Sequence, residues 1–140
     1  MGSGTKYYLP KAFYIHFDGI DDEHEHLVEI VNGLLDTTGE DGWTVSAPQL
    51  ATFVQAMESH FHHEERYMED LEYPGLEWHR NHHAECLQRA KDILAESERR
   101  GGVDSELAER CFVEVIHEIA RGDLKFGEFV EGRNLDDGKD

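Results

Sequence analysis

Two pairs of potential metal ligands at helical spacing, His60-x-x-x-Glu64 and His79-x-x-x-His83, constrain this chain more than any other feature. Residues four apart lie one above the other on an α-helix, so each pair can grip a cation from one turn of a rigid element. His24 sits on a helical face upstream, and Glu118 and Asp123 follow downstream. Four helices that each present imidazole or carboxylate to one centre are how helical bundles build two-metal sites. The fold class expected is therefore all-α: an antiparallel up-down-up-down four-helix bundle with an N-terminal aromatic arm.

The apolar periodicity places the helices. An arm rich in aromatics (Tyr7, Tyr8, Phe13, Tyr14, Phe17) occupies residues 1–19, where Met1-Gly2-Ser3-Gly4 reads as a cloning remnant. The bundle is expected over residues 20–130. Its first helix runs from about Asp21 to Asp36, with Ile20, His24, Val28, Val31 and Leu35 on one face. A second starts at Ser46 as cap with Pro48 in its first turn, and Tyr73-Pro74-Gly75 stops it after Leu71. The third spans Leu76 to Arg99 and ends at Gly101-Gly102. Asp104 or Ser105 caps the fourth, which reaches Val130 and leaves residues 131–140 as a polar tail, frayed or a linker to another domain. Short connections imply antiparallel neighbours.

Helical-wheel positions sort the polar residues. His60 and Glu64 share an arc with Leu50, Phe53, Met57, Phe61, Met68 and Leu71, while His62 and His63 point away. His79 and His83 share one with Leu76, Cys86, Leu87, Ala90 and Leu94, and His82 lies to one side. His24 faces inward and His26 opposite. His16, His26, His62, His63 and His82 read as solvated. A carboxylate in mid-core is costly unless paired or metal-bound, so Glu64 beside several imidazoles asks for a cation. A buried His–Glu network without metal is the alternative.

Charge narrows the partners. Thirty-one acidic residues against thirteen basic ones give a formal charge of −18, which repels phosphate backbones and anionic membranes. No nucleic-acid or membrane role is expected, and with no signal pattern the default is a cytoplasmic protein. Cys86 and Cys111 fall on apolar stripes and read as free buried thiols.

The residues from about Tyr14 to Phe126 resemble the hemerythrin family, and the bacterial hemerythrins in particular. Ile20-Asp-Asp-Glu-His24-Glu-His-Leu27 is similar to that family's I-D-x-Q-H-x-x-L. His60-Phe-His-His-Glu64-Glu65-Arg-Tyr-Met68, Tyr73-Pro74 and His79-x-x-x-His83 are similar to H-F-x-x-E-E-x-x-M, Y-P and H-x-x-x-H. The resemblance implies two iron ions bridged by a Glu, an Asp and a solvent-derived oxygen, with five histidines and one position open to O2. Carried over, His24 and His60 would bind one iron, His79 and His83 the other, and Glu64 and Asp123 would bridge. Phe61 and Ile119 are the candidates for the O2 pocket.

The fourth helix departs from the pattern H-I-x-x-x-D. Aligning on His117 puts Gly122 where the bridging Asp belongs; aligning on Asp123 puts Glu118 where the fifth His belongs. Leu107, Cys111, Val115, Ile119 and Phe126 centre the apolar face, with Glu118 and Asp123 on its shoulders and His117 well outside. Glu118 is therefore the preferred ligand. The alternative is His117 reaching in through a helical bulge, with Glu118 as a possible extra ligand. A second departure is His16, where the family usually has Gly.

A carboxylate in place of an imidazole adds charge and a harder donor, which favours oxidised iron and admits manganese. Three functions follow. The first is an O2-binding carrier, store or sensor module, which could be fused to a signalling domain in a longer native chain. The second is a di-iron peroxidase or oxidase acting on O2 or H2O2, and the third is iron handling or sensing.

Overall fold

The computed structural model describes residues 7–15, 18–36, 43–44 and 47–137. Most of them are helical. Helix α1 spans Asp18–Asp36, α2 Ala47–Asp70 and α3 Leu76–Arg100. A fourth rod is built from α4 (Ser105–Glu118), a π turn (Ile119–Asp123) and α5 (Leu124–Asp137). Each rod packs on two others: α1 on α2 and α4, and α3 on α2 and α4. None of the described helices is long and apolar enough to cross a membrane.

Local chemistry sets the helix ends. At the end of α2, Tyr73 N–H bonds Met68 O (2.9 Å) and Glu72 N–H bonds Glu69 O (3.1 Å). That is a Schellman closure, and it puts Glu72 in the left-handed region at φ 53°. Helix α3 closes on Gly101 at φ 83°, where an achiral residue adopts the turn without cost. Of the two caps considered for the fourth rod, Asp104 serves, accepting from Leu107 N–H at 2.9 Å. The Ser46 cap lies outside the described residues, as do His16, Phe17 and the opening Met-Gly-Ser-Gly. Helix persists to Asp137, seven residues past the expected end at Val130.

A short feature was not foreseen. Strands β1 (Trp43–Thr44) and β2 (Val103–Asp104) pair antiparallel, tying the connection after α1 to the connection after α3. Among the described residues the N-terminal segment is also anchored. Tyr7 stacks on Phe112 with centroids 4.2 Å apart, and Ile15 N–H donates to buried Asp21 at 2.9 Å.

The apolar interior is split. One cluster gathers Leu27, Val31, Phe53, Met57, Ile93, Leu107 and their neighbours; the other holds Ile15, Ile20, Met68, Phe126 and Val130. Each rod passes from one cluster to the other through a polar stretch: His24, then His60 and Glu64, then His79 and His83, then Glu118 to Asp123. The polar centre is thus sealed by hydrocarbon at both ends.

Candidate metal centre

On the first three rods the residues placed inward by the wheel as ligands, His24, His60, Glu64, His79 and His83, do lie inside. His24, His60, Glu64, His79, His83, Glu118 and Asp123 are all buried and converge. Their atoms fall into two overlapping groups, His24–His60–Glu64–Glu118–Asp123 and Glu64–His79–His83–Glu118–Asp123.

The carboxylates are shared between the two groups. Glu64 turns Oε1 to His79 Nε2 (2.8 Å) and His83 Nε2 (3.0 Å), and Oε2 to His60 Nε2 (3.2 Å). Asp123 turns Oδ1 to His79 Nε2 (2.8 Å) and Oδ2 to His24 Nε2 (2.7 Å). Glu118 does the same more loosely, with Oε1 at 3.1 Å from His83 Nε2 and Oε2 at 3.7 Å from His24 Nε2. Donor atoms about 3 Å apart match the cis edges of a coordination sphere with bonds of about 2.1 Å.

The fourth rod delivers Glu118 and Asp123 by an unexpected route. At about 100° per residue, positions i and i+5 of an α-helix diverge by about 140°. The π turn at Ile119–Asp123 adds a residue to that turn and brings both carboxylates to one face. A bulge is therefore present, but it serves Glu118 and Asp123. His117 turns elsewhere, toward His82, with ring centroids 5.6 Å apart. Gly122 lets the bulged backbone lie on the imidazoles: a Cβ there would meet His79 Cε1 at 2.8 Å and His82 Cδ2 at 3.0 Å.

Burial and mutual charge set the protonation of these groups. Burial disfavours an ionised Glu64, but bonding with Asp123 and the His60 and His79 imidazoles outweighs it and holds Glu64 well below the usual carboxylate range. Burial and then the Glu64 charge push Asp123 up; burial, Asp123 and Glu64 push Glu118 up. Burial would lower His79 and His83, yet the surrounding carboxylates win and raise them to about 12 and about 10. Without metal, protons hold this cluster together. A cation that displaces them meets the same carboxylates.

Four buried polar atoms there lack a hydrogen-bond partner: His24 Nδ1, His60 Nε2, Glu64 Oε2 and His79 Nδ1. His60 Nε2 and Glu64 Oε2 face each other inside the centre. That inner pair, 3.2 Å apart without a formed hydrogen bond, marks a missing partner, and four imidazoles with three carboxylates are a donor set for a first-row transition metal. The site fits metal.

Two carboxylates outside the cluster orient its imidazoles, a role the sequence reading did not give them. Glu23 accepts from His60 Nδ1 (2.7 Å) and from His63 Nδ1 (2.6 Å), and Glu65 accepts from His83 Nδ1 (2.7 Å). Such bonds fix which ring nitrogen faces the metal. A carboxylate directly preceding or following a ligand residue was the available sign. Phe61 stacks on His83 with centroids 4.0 Å apart and planes 5° apart, and fully buried Ile119 opens the π turn. Surface hollows of about 170 Å³ each reach His60 beside Glu23 and His83 beside Phe61. His26 and His62 are exposed as expected, and His63 is half exposed though bound to Glu23. His82 is not solvated, contrary to expectation: it is 6 % exposed and stacks on Trp78, which shields it.

The family model described as "Hemerythrin HHE cation binding domain" matches residues 16–125, a span that contains every residue of this centre.

Proposed function

Because this chain belongs to the hemerythrin family, we propose that its centre holds two iron ions and binds O2, as a carrier, store or sensor module. The observation that carries this reading is the division of the Glu64 and Asp123 oxygens between the pair His24 and His60 and the pair His79 and His83. On this reading Glu64 and Asp123 would be shared by the two ions and the four imidazoles would each hold one of them, in an up-down-up-down antiparallel bundle. Iron bound there would supply the electrons for binding O2. Phe61, stacked on His83, and fully buried Ile119 would line the O2 pocket with hydrocarbon and keep competing water and protons away. Glu23 and Glu65 hold the outer imidazole nitrogens so that Nε2 points inward.

Anaerobic iron reconstitution followed by O2 titration tests the proposal. A visible charge-transfer band that comes with O2 and goes on its removal, at two irons per chain, supports it. Irreversible oxidation would instead favour an oxidoreductase of peroxidase or oxidase type. One observation favours that second reading: Glu118 places a third shared carboxylate where the family usually has imidazole. Oxygen donors stabilise the oxidised metal, and the same donors accept manganese.

A further inference from the structure

Helix α3 carries a second pair of ligand-type residues at helical spacing, His82-x-x-x-Cys86. It is the His79/His83 pattern displaced by three residues, which turns it by about 60° around the helix. That rotation aims it past the proposed di-iron centre and at α4, where His117 waits. Among the described residues, His82, Cys86 and His117 form a group whose ligand atoms lie within 4.8 Å of one another, and it shares no member with the other two groups.

We infer that His82, Cys86 and His117 form a separate mononuclear site for a borderline-soft divalent cation of the zinc class. Two imidazoles and one thiolate are a recurrent zinc donor set, with the fourth position left to water. His82 Nε2 and Cys86 Sγ are already 3.9 Å apart. A tetrahedral ion with bonds of about 2.0 Å to nitrogen and about 2.3 Å to sulfur needs donor separations of about 3.3–3.6 Å. Closing the site thus asks for a contraction of about 0.4 Å between His82 and Cys86 and of at most about 1.5 Å on the edges to His117.

The surroundings suit a cation. Cys86 and His82 are buried, while His117 is partly open to solvent and gives an ion a way in. Trp78 fixes the His82 ring by stacking at 5.0 Å. The contact of His82 Nε2 with the Glu118 carbonyl, at 3.4 Å, is too long to be a strong bond, so little is lost when that nitrogen turns to metal. Burial and the Glu118 charge push the Cys86 thiol up to about 12; Arg89 Nη2, which donates to Sγ at 3.3 Å and is itself paired with Glu114 at 2.8 Å, offsets only part of this, so the ion has to displace the thiol proton. On binding, the Cys86 S–H proton passes to solvent and the thiolate takes its place on the ion. This site also gives His117 a partner set of its own, which explains why it does not enter the larger centre.

Cobalt(II) is the probe, titrated into protein already saturated with iron. One further equivalent should bind, with a near-ultraviolet thiolate-to-cobalt band and the intense visible bands of tetrahedral cobalt. The thiolate band should vanish in Cys86→Ala and persist in Cys111→Ala. Because Cys86 lies in the core, His117→Ala on the partly exposed face is the second variant. Its cobalt affinity should fall by about tenfold or more, since even outer partners of metal ligands are worth that much. No further equivalent, a band that survives Cys86→Ala, or an unchanged affinity in His117→Ala would overturn the inference. The thiolate band reports Cys86 alone, so the test stands whether or not the larger centre holds two irons.

Discussion

Glu118 and Asp123, five positions apart on one rod, turn their carboxylates into the same space because the backbone between them is a π turn. A regular α-helix would bring only one of them in. The bulge therefore decides the composition of the centre, and Gly122 is the residue that permits it.

Replacing Glu118 by His restores the imidazole of the family pattern and removes a negative charge. Glu118→His should lengthen the life of the oxygenated form and raise the potential of the iron pair. Stopped-flow spectra of the reduced variant mixed with O2 read this out. A lifetime equal to or shorter than that of the parent would count against a role for Glu118 at the metal.

Gly122→Ala should destabilise, although a helical Gly→Ala change ordinarily stabilises by about 0.5–1 kcal/mol. Here the added methyl meets the buried His79 ring at 2.8 Å, and overpacking of that kind costs about 1–3 kcal/mol. Thermal unfolding and iron content should fall together. A more stable, fully loaded variant would show that the close approach is relieved at no cost.

Glu23→Gln and Glu65→Gln keep the shape and remove the charge that orients His60 and His83. Iron affinity, measured by competition with a chelator, should drop by about 10–100-fold in each. Equal drops from Glu29→Gln, on an exposed face of α1, would make the effect one of general charge.

Glu64→Ala and Asp123→Ala each remove a carboxylate that serves both histidine pairs. Each variant should lose both metals rather than one, with an unfolding midpoint lower than the parent's, because the remaining ligands are left unsatisfied. Two irons retained per chain in both variants would defeat the bridging assignment.

The metal-free protein should become less stable as pH rises. His79 and His83 titrate from 6.5 when unfolded but only near 12 and near 10 when folded. Below about 6.5 both states hold these protons and the stabilisation is whole; between 6.5 and 10 the unfolded chain loses protons that the folded one keeps, so stability drains away. Urea unfolding in chelator across that range, in high salt to screen the acidic surface, should show a falling midpoint. A rising midpoint would mean the carboxylates do not hold these imidazoles charged.

Sequence made the first three rods legible because His24, His60 with Glu64, and His79 with His83 obey one period, 3.6 residues per turn, over uninterrupted helices. On the fourth rod it preferred Glu118 with Asp123, both of which the structure brings inward, but a straight wheel leaves them on opposite shoulders and does not show how. The misfit of Gly122 to the family pattern was the visible trace of the π turn. His82 was misplaced for a related reason. Its burial comes partly from Trp78, one turn earlier on the same helix, and partly from the α4 backbone, a neighbour that no single-helix projection contains, although the His82-x-x-x-Cys86 spacing was there to read. The β1–β2 pairing and the Glu23 and Glu65 contacts join distant segments and leave no periodic signature.

Each carboxylate of the centre divides its two oxygens between two histidine pairs, so neither pair is complete on its own. An ion captured by His79 and His83 fixes Glu64, Asp123 and Glu118 in the orientation that His24 and His60 require, and the converse holds as well. On the proposed two-iron reading, metal uptake would then be cooperative: half-filled molecules would be scarce at equilibrium, and a population short of iron would divide into empty and doubly loaded chains.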